Sequence, residues 1–344
     1  MAWGPLRFGA PFAFAASIPA GYYAYGPYAP AFTIAALIVS LVGAEVTSPR
    51  GAAATPHDDA RSFRWLPILY IPLQLCVVGW ALAEARRTNA AGFAVLAMAV
   101  GITTGVFGVL AAHELVHGRS KFGQYLAAAL LSAMAYRHFR IAHVFGHHRW
   151  AATERDPSTA RLGEGFYHFA VRTIGGQWLD AWRVEQRRVV RCRLPLWRHR
   201  LVADAAVMCL LACAIILFTG ARGIAFFLAQ SAVAILTLEL FNYIAHYGLL
   251  RRIGARGREP FGEAHSWNSS NVLANALIFN MGRHSHHHAR PLAPYQTLQP
   301  RCAAPELPLG YAGSILLALV PPLWRRVMDP AVQRLHTRSS NTPA

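Results

Sequence analysis

Uncharged apolar runs of about 17–23 residues recur along the chain, at roughly 8–27, 30–47, 65–84, 91–112, 201–219 and 223–245. Coiled as helices, such runs match a hydrocarbon core about 30 Å thick. They predict six transmembrane helices. A seventh run, 122–136 (FGQYLAAALLSAMAY), has about fifteen residues and rises only about 22 Å as a helix. It predicts a re-entrant or interfacial helix. The first run is interrupted by Pro11 and Pro19 and lacks the basic start and cleavage site of a secretory signal, so it reads as the first membrane segment. The pattern predicts an all-α integral membrane protein, a single membrane domain over 1–344. Two polar regions, 113–200 and 246–330, form its histidine-rich cytoplasmic cap.

Composition agrees with that class. Of 344 residues, 54% are hydrophobic and only 14% charged, against about 25% charged in soluble domains. Disorder, collagen-like repeats and an ordinary soluble enzyme are excluded. The chain carries 33 Lys+Arg against 16 Asp+Glu, and Lys121 is its single lysine. With six alternating spans and a cytoplasmic N-terminus, 30 of the 33 basic residues fall on the cytoplasmic side. Arg86, Arg87 and Arg222 alone fall outside. Excess Lys/Arg marks the cytoplasmic side. The expected location is therefore the cytoplasmic (inner) membrane, multi-pass, with both termini cytoplasmic. A second crossing by 122–136 would destroy this bias. The basic face suits anionic membrane lipid and an acidic soluble partner. No basic, aromatic-interleaved module points to nucleic acid. The five cysteines (76, 192, 209, 213, 302) form no CxxC pair, which argues against a disulfide framework, a zinc ribbon or a built-in rubredoxin-type iron site.

The sixteen histidines are clustered. His113-Glu114-Leu115-Val116-His117 places two imidazoles at i, i+4 on one helix face. Alone, HExxH also fits a zinc hydrolase with glutamate as base. His143 and His147 repeat the i, i+4 spacing, with His148 about 100° away, free to serve a second ion or the far side of the first. His246 ends the sixth span. In RHSHHHARP, His284, His287 and His288 have i, i+3, i+4 spacing, which one helical turn can aim at one centre. All four clusters fall at the expected cytoplasmic membrane boundary. Together they supply nine imidazoles, where one zinc takes about four ligands, so two ions are within reach. Imidazole suits iron, copper, nickel and zinc alike, so ligand type selects none of them. Glu114, Asp156, His265 and His286 are candidates to support the imidazoles from behind.

Six segments carry a resemblance: HELVHGRS at 113–120, HVFGHHRWAATERDPSTARLGE at 143–164, NYIAHYGLLR at 242–251, HSWNSSN at 265–271, RHSHHHARPLAPYQTL at 283–298 and PPLWRRVMDP at 321–330. In this order the chain resembles the bacterial membrane-bound alkane hydroxylases (alkane 1-monooxygenases), within the membrane fatty-acid desaturase/hydroxylase superfamily. The resemblance implies a non-haem diiron centre held by His113, His117, His143, His147, His148, His246, His284, His287 and His288. It implies O2 as co-substrate and electrons from NAD(P)H through a separate reductase and rubredoxin. The reaction implied is hydroxylation of a terminal methyl group, n-alkane to 1-alkanol. An aryl-methyl (xylene- or cymene-type) monooxygenase and a fatty-acyl desaturase or hydroxylase are the alternatives within the superfamily. The chain departs from the family pattern at Ala245 (usually Glu), His286 (usually Asp) and Arg290 (usually His).

The chemistry fits a membrane boundary. A hydrocarbon without a polar handle partitions into lipid, while protons and electrons arrive from the cytosol. Its channel is expected among spans 30–47, 65–84 and 91–112, where about 0.8 kcal/mol per buried methylene can select length. An intramembrane zinc protease would leave seven of the nine histidines unused. A metal transporter would need a polar path, but Glu45 and Glu239 are the clearest ionisable groups in the spans.

Overall fold

The computed structural model describes residues 4–51, 60–254 and 257–340. The chain ends assigned above to the cytosol lie outside the described residues, as does the side chain of Arg61, one of the cations counted there. Regular structure among the described residues is helical, apart from a two-residue antiparallel hairpin, Ile253–Gly254 with Gly257–Arg258, and isolated bridges. The helices are α1 (Ala10–Tyr25), α2 (Pro30–Thr47), α3 (Ala60–Glu84), α4 (Ala90–His117), α5 (Lys121–Ala133), α6 (139–150), α7 (Phe166–Arg191), α8 (Arg200–His246), α9 (Val272–Leu277), α10 (His284–Ala289), α11 (Gly310–Ala318) and α12 (Pro321–Ser340). Short 3-10 turns join some of them.

Four of these, in α2, α3, α4 and α8, are individually long and apolar enough to cross a membrane. The six expected runs fall on α1 to α4 and on the two halves of α8. Helix α1 has 16 residues, a rise of about 24 Å. Helix α8 has 47 residues and would extend about 70 Å if straight. It is not straight, because Gly220 leaves the helical region at φ 69°, ψ −169°, a conformation glycine adopts without a Cβ clash. Both ends of α8 reach one neighbourhood. Asp204 near its start binds Arg137 and Arg140 at 2.8 and 2.7 Å. His246 at its end lies beside His288, which also touches His147, two helical turns beyond Arg140.

The Gly220 break rests on the α3–α4 turn. Arg222 Nε donates to the Ala85 carbonyl at 2.7 Å and Arg86 Nη1 to the Phe218 carbonyl at 3.2 Å. From the same turn, Asn89 donates to Tyr28 Oη between α1 and α2 at 2.8 Å. Three turns therefore gather at one end of the bundle, and the histidines gather at the other.

Helix α4 packs directly on the second half of α8 through two glycines one turn apart. A Cβ on Gly101 would meet Val233 Cβ at 2.5 Å and the Gln230 carbonyl at 2.7 Å. One on Gly105 would meet the Ala234 carbonyl at 2.6 Å. Small residues at such spacing let two backbones approach closely. With 28 residues, α4 rises about 42 Å, longer than a core of about 30 Å requires, and its last turns carry His113 and His117.

Helix α5 occupies the seventh apolar run. The Ser120 hydroxyl caps it by accepting the Gly123 N–H at 3.3 Å. It runs back along α4, with Gly123 against Leu115 and Leu130 against Gly108. Its end meets α8, where Gln230 Nε2 donates to the Ala133 carbonyl at 2.6 Å. After a reversal at Ala135 (φ 53°), the chain returns until His143 Nε2 stands 3.1 Å from His117 Nε2. Helix α7 is amphipathic. Phe166, Phe169, Ala170, Thr173, Gln177, Ala181, Glu185 and Val189 form its buried stripe. All five cysteines are exposed and free.

Candidate metal centre

Four separate segments deliver the nine imidazoles: the end of α4, α6, the end of α8 and α10. Their ring nitrogens form two groups, each with its donor atoms within 4.8 Å of one another. His113, His117, His143, His148 and His287 make one; His147, His246, His284 and His288 make the other.

The division differs from simple helical spacing, for a local reason. Residues Ala142–His147 are π-helical, with i→i+5 hydrogen bonds in place of i→i+4. The wider turn aligns His143 with His148, at 3.0 Å between their Nε2 atoms, and sends His147 to the other group. So the expectation that His143 and His147 serve one face, with His148 set apart, gives way to the pairing 143/148. In α10 the i, i+4 pair His284 and His288 stays together at 3.1 Å. His287 instead crosses to His148 at 3.1 Å, so that one turn serves both groups. His113 and His117 share a group, as their spacing predicts.

The chemistry of the donor set fits cations. His288 Nε2 lies 3.2, 3.3 and 3.1 Å from the Nε2 atoms of His147, His246 and His284. A neutral ring nitrogen has either one proton or one lone pair, so three hydrogen bonds cannot form there. Two imidazole nitrogens bound to one ion at about 2.0–2.1 Å, as in zinc sites, stand about 3.0–3.4 Å apart. Both nitrogens of His113 are buried without a hydrogen-bond partner, a costly state that a metal would relieve at one of them. Burial, reinforced by the neighbouring imidazoles, pushes His143, His148, His284, His287 and His288 well below the ordinary imidazole range. These rings are neutral and have lone pairs to offer.

Several residues hold rings from behind. Asp156 Oδ2 accepts from His147 Nδ1 at 2.9 Å and from Thr159 Oγ1 at 2.7 Å. Burial alone would raise the Asp156 carboxyl, but the hydrogen bonds it accepts from His147 and Thr159 help hold it below its ordinary range. His246 Nδ1 donates to the His265 carbonyl at 2.9 Å. The His265 ring is held by Glu259 at 2.9 Å and by the Gly262 N–H at 2.8 Å, so His265 supports the site through its backbone. Glu114 accepts from the Tyr295 N–H at 3.3 Å, and His286 Nδ1 accepts from the Gln299 N–H at 2.7 Å. Both therefore brace the cap loop 290–299 and belong to neither histidine group. Phe261, which no sequence signal marked, stacks on His288 with centroids 4.7 Å apart and planes 25° apart.

A mostly apolar cavity touches both groups, through His113 and His143 on one side and His284 on the other. Leu41, Val109, Phe139, Phe241, Ile278 and Met281 supply much of its wall. Helices α2 and α4 contribute as expected. Among the described residues α3 lends it no wall. Instead α8, α9 and α11 supply the remaining walls, with Phe139 and His143 of α6. Glu45 and Asn242 are polar exceptions. Glu45 is held at the start of α11 by the Ala312 N–H at 3.2 Å.

A family model described as fatty acid desaturase matches residues 89–311. The chain is 38% identical over 309 residues to alkane 1-monooxygenase 2 of Pseudomonas aeruginosa, covering 88% of this chain and 82% of that protein. It is 34% identical over 302 residues to an alkane 1-monooxygenase of Pseudomonas putida, covering 86% and 75%. A weaker likeness, 26% over 310 residues, joins it to the xylene/toluene monooxygenase hydroxylase component of Pseudomonas putida, covering 88% and 82%.

Proposed function

The chain belongs to the alkane 1-monooxygenases of the fatty acid desaturase family, and from that premise we propose that it converts n-alkanes to 1-alkanols. One observation carries the reading to this chain: an apolar cavity touches both histidine groups. The five- and four-histidine groups would hold two irons, which would supply the activation of O2 with two electrons needed to place one oxygen atom in a terminal C–H bond and release the other as water.

The residues of the chain do the rest. Leu41, Phe139, Phe241, Ile278 and Met281 bind the hydrocarbon and exclude water. His113, His143 and His284 bring the reacting centre to the cavity wall. Asp156 holds the proton of His147 at Nδ1 and leaves Nε2 free for the metal, and the His265 carbonyl does the same for His246. Such partners fix the tautomer and raise ligand basicity.

The protein sits in the cytoplasmic membrane with six spans: α1 to α4 and the two halves of α8, which fold back at Gly220. Helix α5 is re-entrant. The clustering of the turns near Tyr28, Asn89 and Gly220, opposite the histidines, supports this topology, and so does the arginine bias. Electrons come from NAD(P)H through a reductase and rubredoxin. The alkane reading is preferred to an aryl-methyl one by the stronger likeness to alkane 1-monooxygenases.

The test is expression with rubredoxin and its reductase, NADH, and alkanes of graded length beside xylene. Mass spectrometry should find 1-alkanols carrying one atom from labelled O2. An alkene without added oxygen would mean desaturation, and preferential xylene turnover would mean an aryl-methyl enzyme.

A further inference from the structure

Phe261 sits against the outside of the metal centre and is itself half-buried. One of its faces stacks on His288. The Arg251 guanidinium lies over the ring at 5.5 Å. Arg251 also ties two elements together, donating to the Ala151 carbonyl at 2.7 Å and the Arg149 carbonyl at 3.2 Å. Beyond that tie, Trp150 is half-buried, with Arg155 3.9 Å and Arg149 5.0 Å from its ring. Arg149, Arg155, Arg252 and Arg258 are exposed, and Ile253 at the hairpin is 74% exposed. The acidic residues nearby do not balance them. Glu154 is exposed, while Glu259 is turned onto His265 and the Arg252 N–H. The result is a basic, aromatic-centred face with a single ring between solvent and a candidate metal ligand.

We infer that the face carrying Arg149, Trp150, Arg155, Arg252, Arg258 and Phe261 is the landing site of a small acidic electron-transfer protein, whose electrons enter the four-histidine group across the Phe261–His288 contact. The inference rests on the monooxygenase reading. Interspersed arginines steer and orient an acidic partner, and the exposed Ile253 supplies an apolar contact. Each landing oxidises the partner by one electron and reduces the metal centre by one. Two landings, with O2, two protons and the hydrocarbon, balance to alcohol and water.

The experiment uses the full chain in nanodiscs of zwitterionic phosphatidylcholine. Arg252→Glu/Arg258→Glu should weaken binding of oxidised rubredoxin roughly tenfold at low salt, in metal-loaded and metal-free protein alike. The KM for reduced rubredoxin should rise in step. Turnover driven by dithionite should stay at the wild-type level, as should binding of basic cytochrome c or better. Arg325→Glu/Arg326→Glu, on the exposed side of α12, should leave rubredoxin affinity unchanged. Phe261→Leu should keep the affinity but slow rubredoxin-driven reduction of the centre. Iron content and the milder Arg252→Ala/Arg258→Ala pair report on folding. Unchanged rubredoxin affinity in the double reversal overturns the landing site. So does equal weakening in the α12 control, or an effect confined to nanodiscs of anionic lipid, which would make the face a lipid contact. Wild-type reduction rates in Phe261→Leu overturn the entry route. A wild-type enzyme that oxygenates nothing with dithionite would count against the monooxygenase reading, whereas the affinity change is measured without turnover.

Discussion

At the scale of single residues, the site depends on imidazoles kept neutral and aimed. Asp156 shows how aim is achieved. The Ser158 N–H and Thr159 hydroxyl fix its carboxylate at 3.1 and 2.7 Å, and the carboxylate in turn fixes His147. Asp156→Asn keeps the shape but removes the charge. It should lower metal affinity about 10–100-fold, the usual cost of losing such a partner, as measured by iron titration of the apo-protein. His147→Ala and His287→Ala each take one ligand, the first from the four-histidine group and the second from the five. Both should abolish turnover and lower iron content in elemental analysis. Full activity in both would contradict the assignment. Two of the three departures from the family pattern, Ala245 and His286, sit in local hydrogen-bond networks. Ala245 is fully buried, and its carbonyl accepts from the Trp267 N–H and the Ser266 hydroxyl, so the turn beneath His246 is tied by backbone and serine. His286 faces Gln299 and stays out of the ligand shell.

At the scale of elements, hydropathy was a good guide wherever a helix meets lipid, and a poor one wherever backbone geometry deviates. The apolar runs located α2, α3 and α4 well, because burial in a uniform solvent demands length and little else. Gly220 inside α8 was legible only as the gap between two runs. The π-helical stretches, Thr104–Gly108 and Ala142–His147, left no mark in hydropathy. They are set by packing, and the second one decides which ion His147 and His148 would serve. The cavity wall was half legible for the same reason. Residues of α9 and α11 lie far along the chain from α2, and nothing local announces their meeting. The Gly101/Gly105 approach is the element contact most open to test. Replacing Gly101 by Leu inserts a side chain where a Cβ alone would already stand 2.5 Å from Val233. Overpacking of this kind typically costs about 1–3 kcal/mol. Gly101→Leu should therefore unfold at lower temperature in detergent. It should also lose activity by shifting α8, which carries Phe241 on the cavity wall and His246 at its end. An unchanged melting temperature would mean that the helices can part there freely.

At the scale of the whole molecule, the nine imidazoles come from segments up to 175 residues apart, and only the folded chain brings them together. Their convergence could be anticipated from the sequence, because four histidine clusters at one predicted membrane face have few alternatives. Their sorting into five and four could not, since it depends on the π turn and on α10 facing both groups. Convergence also has a thermodynamic consequence. A ligand that binds the folded state alone stabilises it by RT ln(1 + [L]/Kd), about 2.7 kcal/mol at a hundredfold excess over Kd. Without metal, His113 keeps two buried, unpartnered nitrogens, and His288 Nε2 faces three other imidazole nitrogens at 3.1–3.3 Å that it cannot all satisfy. The apo-protein should therefore melt below the iron-loaded protein, and added ferrous iron should restore the difference in a concentration-dependent way. The effect should shrink in His147→Ala and His287→Ala, and it should persist in Gly101→Leu, whose defect lies in helix packing. Equal melting temperatures with and without iron, together with no metal uptake, would show that these imidazoles do not act as a metal centre.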